Sequence, residues 1–491
     1  MLSKAWNKSK RFPVQVRASF WFLICSFLQR GISVITTPIF TRLLSTEEYG
    51  QYGTFDSWLK IVTIFVSLHL YSGVHTQGLV KFSEDRRRYS SSLQGLTLVL
   101  CAGWTVVYLL FRDFWNDLLG LTTTQMLAML VMIWSTSAFN LWAGEQRVEY
   151  RYQRLVAATL VISIAKPVVG ILCVSHATEK VTARILGLAL VELVGYTGFF
   201  IAQMSRGKQF YSGKYWRHAL MFNLPLIPHY LSQTVLNSAD RIMIRNMVGP
   251  SQAGIYTLAY SISQIMVLFN TALSHTLSPW IYQKIKDNRA QDISGIAYLC
   301  MGIIAAVNLA LIAVAPEMVV LFAPASYHEA IWVIPPVAMS VLFMFSYDFF
   351  AKFEFYHEKT SFIMFASVFG AALNVGLNFI FIRIYGYYAA AYTTLFCYIA
   401  YVMAHYFFMR HICNKYMGGI VVYDPKVLLL LYGSFMACGF MLMFTYNYPI
   451  VRYGIIAVAL AIMFIKRRFI VDAVKKMYQI RKSNKKKRNH D

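Results

Sequence analysis

Apolar residues run along most of this chain in blocks of about 20, separated by short polar stretches. The blocks lack the every-other-residue alternation of a half-buried strand. A helix that crosses a bilayer needs about 20 mostly apolar residues, whereas a barrel strand alternates over about 10. The pattern therefore predicts an all-α polytopic membrane protein with about 14 transmembrane helices. The expected spans are 18–40, 50–72, 92–111, 124–144, 155–175, 183–204, 218–239, 252–274, 295–315, 330–351, 361–382, 387–409, 427–446 and 450–466. The first is too long for a signal-peptide core and carries Arg30 and Pro38, so it reads as a retained span.

Composition agrees. Of 491 residues, 57% are apolar and only 14% charged, against about 25% charged in a soluble domain. That excludes disorder, collagen and a disulfide scaffold. The charge balance, 46 Lys and Arg against 22 Asp and Glu, first suggests nucleic acid. Placement removes that reading. Thirty-five cations fall on the side of the N-terminus, seven on the opposite side and four in or at the spans. Cytoplasmic loops carry the excess of Lys and Arg, so both termini are expected in the cytoplasm, with no nucleic-acid partner. The tail 471–491 is polybasic and reads as a cytoplasmic segment serving topology and solvation rather than a specific partner.

The expected outer connections, such as 112–123 and 316–329, are too short to hold a folded catalytic domain. The seven cysteines lack metal-ligand spacing and read as small apolar residues, so no metal site is expected. No phosphate-loop, zinc-protease or serine-hydrolase motif occurs. The chain is therefore expected to be no enzyme, to carry no cofactor and not to drive transport directly with ATP.

Two segments repeat. Leu43-Leu44-Ser45-Thr46-Glu47-Glu48-Tyr49-Gly50 follows the first span, and Met247-Val248-Gly249-Pro250-Ser251-Gln252-Ala253-Gly254 follows the seventh. Six spans lie between them, so both copies enter the membrane in the same direction. This predicts two six-helix lobes in parallel pseudo-repeat, 1–206 and 207–415, followed by an appended helix pair at 416–470.

Charges within spans mark function, since a Lys or Arg at the bilayer centre costs on the order of 2.5–3.5 kcal/mol. Arg30, Lys60 and Lys166 fall near the middle of spans one, two and five. One water-filled cavity that binds an anion, phosphate above all, would explain all three. Asp56, one turn before Lys60, and Glu192 are the expected counter-ions. Asp240 and Arg241 close span seven and are further ion-coupling candidates. Pro225 and Pro228 should break that span, and breaks of this kind line transport paths. Asn374 and Asn378, one turn apart, suit either a helix-packing seam or a cavity wall.

Further segments carry a resemblance: Asn223-Leu-Pro-Leu-Ile-Pro-His229, Ser278-Pro-Trp-Ile-Tyr-Gln-Lys-Ile285, Ala372-Leu-Asn374-Val-Gly-Leu-Asn378 and Tyr385-Gly386-Tyr-Tyr-Ala389. With Thr37-Pro38-Ile-Phe-Thr41-Arg42, their order resembles bacterial polysaccharide repeat-unit flippases of the Wzx type. These belong to the multidrug/oligosaccharidyl-lipid/polysaccharide flippase superfamily. The resemblance implies a two-lobed transporter in the cytoplasmic (inner) membrane. It would move an undecaprenyl-pyrophosphate-linked sugar unit outward for O-antigen, lipopolysaccharide, capsule or exopolysaccharide assembly. Its implied partners are that lipid-linked oligosaccharide, membrane lipids and other polysaccharide-assembly proteins. A drug or metabolite exporter of the same superfamily is the alternative.

Overall fold

The structure is a computed structural model that describes residues 14–465; the polybasic tail expected at 471–491 lies outside them. Helices account for nearly all of it, and no strand occurs among the described residues. In chain order the helices are α1 (Val14–Leu43), α2 (Thr46–Ser67), α3 (Gly73–Lys81), α4 (Arg86–Leu110), α5 (Arg112–Leu119) and α6 (Thr123–Val148). There follow α7 (Tyr152–His176), α8 (Lys180–Gly207), α9 (Gly213–Asn223), α10 (Ile227–Met247) and α11 (Pro250–Lys286). The remainder are α12 (Ile293–Ala313), α13 (Ala315–Phe322), α14 (Ile334–Tyr356), α15 (Thr360–Tyr385), α16 (Ala389–Tyr416), α17 (Pro425–Phe444) and α18 (Pro449–Ile465).

Every expected span but the seventh falls mainly on one helix. The seventh is broken. Pro225 lies in a 3-10 turn, Leu224–Leu226, between α9 and α10, and Pro228 opens α10, where its missing N–H costs nothing. Eight helices, α4, α6, α7, α8, α12, α14, α15 and α17, are by length and composition sufficient to cross a membrane. Those that fall short of that apolarity include α1, α2 and α10, which carry charges of the candidate site. The connections 112–123 and 316–329 are helical in part, as α5 and α13, rather than open loops.

Local signals fix several helix starts. Ser45 forms a capping box with Glu48: its hydroxyl accepts from the Glu48 N–H at 3.1 Å, and the Glu48 carboxylate accepts from the Ser45 N–H at 2.8 Å. Thr122 and Gln125 repeat the device ahead of α6. The second repeat copy starts α11 differently. Gly249 takes a φ of 150° and Pro250 opens the helix.

The backbone groups into two compact units, Met1–Thr257 and Leu258–Asp491. In the first, α6 is the most buried long helix, and its Met129 and Ile133 pack with Phe55, Val66 and Ile185. A buried polar chain ties three helices together. The Gln94 amide donates to Gln203 at 2.7 Å, and the Gln203 amide donates to the Glu145 carboxylate at 2.6 Å. Such groups are retained in an apolar interior only when hydrogen-bonded.

In the second unit α14 is the buried centre, packed along α16. Glu354 and His405 meet there at 2.8 Å, both fully buried. Arg452 on α18 pairs with Glu317 on α13, and the Tyr453 hydroxyl donates to the same carboxylate at 2.5 Å. That contact joins the last helix to the rest of its unit.

Candidate functional site

The candidate charges all lie in the first unit. Asp56 and Lys60 lie one turn apart on α2 and form an ion pair at 2.6 Å, with both side chains exposed. Lys166 on α7 pairs with Glu192 on α8 at 2.5 Å. Glu192 is 5% exposed at its side chain and also accepts from the Thr136 hydroxyl at 2.9 Å. Lys166 retains 30% of its side-chain exposure and lies 5.7 Å from the Tyr196 ring centre. Pro167 follows it without interrupting α7.

Arg30 is different. Its side chain is exposed on α1, and it forms no ion pair among the described residues. Its neighbour Gln29 donates to Ser163 at 3.1 Å, which ties this stretch of α1 to the helix that carries Lys166. Two of the three expected cations thus have an acid at contact distance, and Arg30 does not. A mid-span guanidinium cannot lose its proton and is costly against lipid, so this surface suits water or an anion.

Asp240 and Arg241 are buried on α10. The Tyr256 hydroxyl donates to Asp240 at 2.6 Å, and Arg241 donates to the Asn237 carbonyl at 3.0 Å. Arg241 lies within electrostatic reach of Asp56, so α10 adds its charge to the same group. Pro225 and Pro228 are exposed at the break before α10.

Asn374 and Asn378 lie in the second unit, fully buried. The Asn374 amide donates to Thr394 at 3.3 Å, the Asn378 amide to Asn374 at 3.3 Å, and the Thr393 hydroxyl to Asn378. They form a seam between α15 and α16.

Two features escape a reading of the sequence. Arg184 counts by position as an outer-loop cation. It is instead 8% exposed in the first turns of α8, held between the rings of Phe40 and Tyr52. The Glu354–His405 pair joins residues 51 positions apart, and no spacing rule connects them. A partial signal for Arg184 existed, because Phe40, Tyr49 and Tyr52 crowd the corner where α1 turns into α2.

The repeat segments also meet. Gly50 and Gly254, 204 positions apart, face each other closely, and the Thr46 and Ser251 hydroxyls hydrogen-bond at 2.6 Å.

Comparison with known proteins supplies a family. Residues 16–285 match the family described as "Polysaccharide biosynthesis protein". An uncharacterized membrane protein of Haemophilus influenzae is 21% identical over 382 residues, covering 74% of this chain and 89% of that protein. A protein of the Lsg locus of the same organism is 22% identical over 278 residues, covering 55% and 66%. Among solved structures, the lipid II flippase MurJ in an inward closed conformation superposes with a TM-score of 0.68 at 13% identity, covering 91% of this chain and 99% of that one. An inward-facing multidrug-resistance MATE transporter gives 0.59 at 13% identity, covering 79% and 96%. At those identities the structures show the fold alone, an all-α transporter fold.

Proposed function

We propose, from the premise that this chain belongs to the polysaccharide biosynthesis protein family, that it is a flippase for a lipid-linked oligosaccharide. The substrate is an undecaprenyl-pyrophosphate-linked repeat unit of a surface polysaccharide, O-antigen, capsule or exopolysaccharide. It moves from the inner to the outer leaflet of the bacterial cytoplasmic membrane, and both chain termini face the cytoplasm. The lipid remains in the bilayer while the head group crosses through the protein.

The observation that carries this reading is the charge arrangement of the first unit. Asp56 and Glu192 engage Lys60 and Lys166, while Arg30 stays exposed without an acid among the described residues. A diphosphate brings the missing negative charge, and Arg and Lys are the side chains suited to hold it. The paired acids act as placeholders. They keep the lysines in position when the site is empty and give way to phosphate oxygens when it fills.

Movement follows from alternating access between two lobes, read as 1–206 and 207–415, driven by an H+ or Na+ gradient. The direct contact of the two repeat copies supports parallel lobes, since equivalent residues meet at a pseudo-two-fold axis. The superfamily alternative, export of cationic drugs, calls for an acidic cavity, and the spare charge here is positive.

The experiment is deletion of the gene with analysis of lipid extracts. This function predicts loss of surface polysaccharide and accumulation of lipid-linked repeat units on the inner leaflet. Drug sensitivity without either change would select the exporter.

A further inference from the structure

We propose that Arg184 is a second anion-binding station in the first unit, for the phosphate groups of an anionic lipid. The inference rests on the flippase reading and adds a residue outside the expected site.

The geometry is specific. The Arg184 guanidinium carbon lies 3.7 Å from the ring centre of Phe40 and 3.5 Å from that of Tyr52. Two rings centred that close to one atom cannot share a face, so they cover both faces of the guanidinium. Stacking of this kind removes water and stabilises the cation through the ring quadrupoles. It does nothing for the N–H groups, which point outward in the guanidinium plane. Nε and Nη1 are buried and have no hydrogen-bond partner.

Local acids are already engaged. Asp56 pairs with Lys60 and Glu192 with Lys166; Asp56 lies within electrostatic reach of Arg184, but neither acid forms an ion pair with it among the described residues. A guanidinium stays charged at any physiological pH. A buried permanent cation with unsatisfied in-plane donors is costly unless an anion completes it. Position gives it a role. Arg184 precedes Glu192 by eight residues on α8, about 12 Å along the helix axis from the Lys166–Glu192 pair. Tyr52, stacked on Arg184, also lies within electrostatic reach of Lys166. A phosphate released from Lys166 would meet Arg184 next along α8, toward the expected outer face.

Binding to full-length protein in lipid nanodiscs tests this, with geranylgeranyl pyrophosphate as the probe and geranylgeraniol as its uncharged control. Arg184→Gln should weaken pyrophosphate binding by about tenfold, the loss of charge-assisted hydrogen bonds, and leave the alcohol unaffected. Arg184→Lys, which keeps the charge but loses the planar fork, should fall between; it decides the matter if the glutamine variant does not fold. Wild-type affinity in both variants, with affinity lost in Lys166→Gln, would overturn the station and leave the flippase reading intact. Equal weakening for probe and alcohol would make Arg184 a packing residue and overturn it too. If the wild-type protein binds the alcohol and not the pyrophosphate, both readings fall together.

Discussion

Gly50 and Gly254 occupy one contact from its two sides. They are counterparts in the internal repeat, and a Cβ on either would drive into the backbone opposite: the Pro250 carbonyl for Gly50, the Thr46 carbonyl for Gly254. One turn on, Gly53 meets its own counterpart, Thr257, whose hydroxyl would stand 2.5 Å from an added Cβ. Small residues at a membrane-helix crossing let backbones approach this closely. The first prediction is that Gly50→Ala and Gly254→Ala each lower the thermal unfolding midpoint in detergent, reflecting about 1–3 kcal/mol of overpacking. Gly103→Ala, with open space around it inside α4, should not lower the midpoint.

The Lys166–Glu192 pair separates stability from transport. Lys166→Ala leaves a buried carboxylate without its partner. Breaking a fully buried pair costs about 3–5 kcal/mol. Here roughly 2 kcal/mol is expected, because Lys166 keeps some contact with solvent. Lys166→Ala/Glu192→Gln should recover most of that loss in a thermal melt and still fail to support export. Lys166→Arg should be tolerated far better than Lys166→Ala or Lys166→Glu.

At the other end of the chain, Arg452 is almost wholly buried against Glu317 and the Tyr446 and Tyr453 rings. Arg452→Ala should loosen α18 from α13. The expected readout is faster limited proteolysis between α17 and α18, with a smaller effect from Tyr453→Phe, which removes one neutral donor at a cost of about 1 kcal/mol.

How much of this was legible in the sequence follows from the range of each interaction. The spans were, because an apolar block of membrane length is a local property, and the break at Pro225 comes from one residue's missing N–H. Asp56–Lys60 was, because a spacing of four puts both on one helix face. Lys166–Glu192 was legible only as two charges at similar depth; their contact depends on how α7 lies against α8. Arg184 was not, since a cation at the outer end of an expected span looks solvated until Phe40 and Tyr52 arrive from two other helices. The repeat was visible as a short match, but that its two copies touch is a fact of packing.

Arg30 carries the central claim, as the mid-span cation with no acid beside it among the described residues. The direct measurement is surface polysaccharide in deletion cells complemented with Arg30→Ala or Lys60→Ala, at protein levels matched to wild type. The account predicts that each variant exports at most about a tenth of the wild-type amount, the loss of one charge-assisted phosphate contact of roughly 1.4 kcal/mol or more. Normal export by both variants would contradict a phosphate site in the first unit.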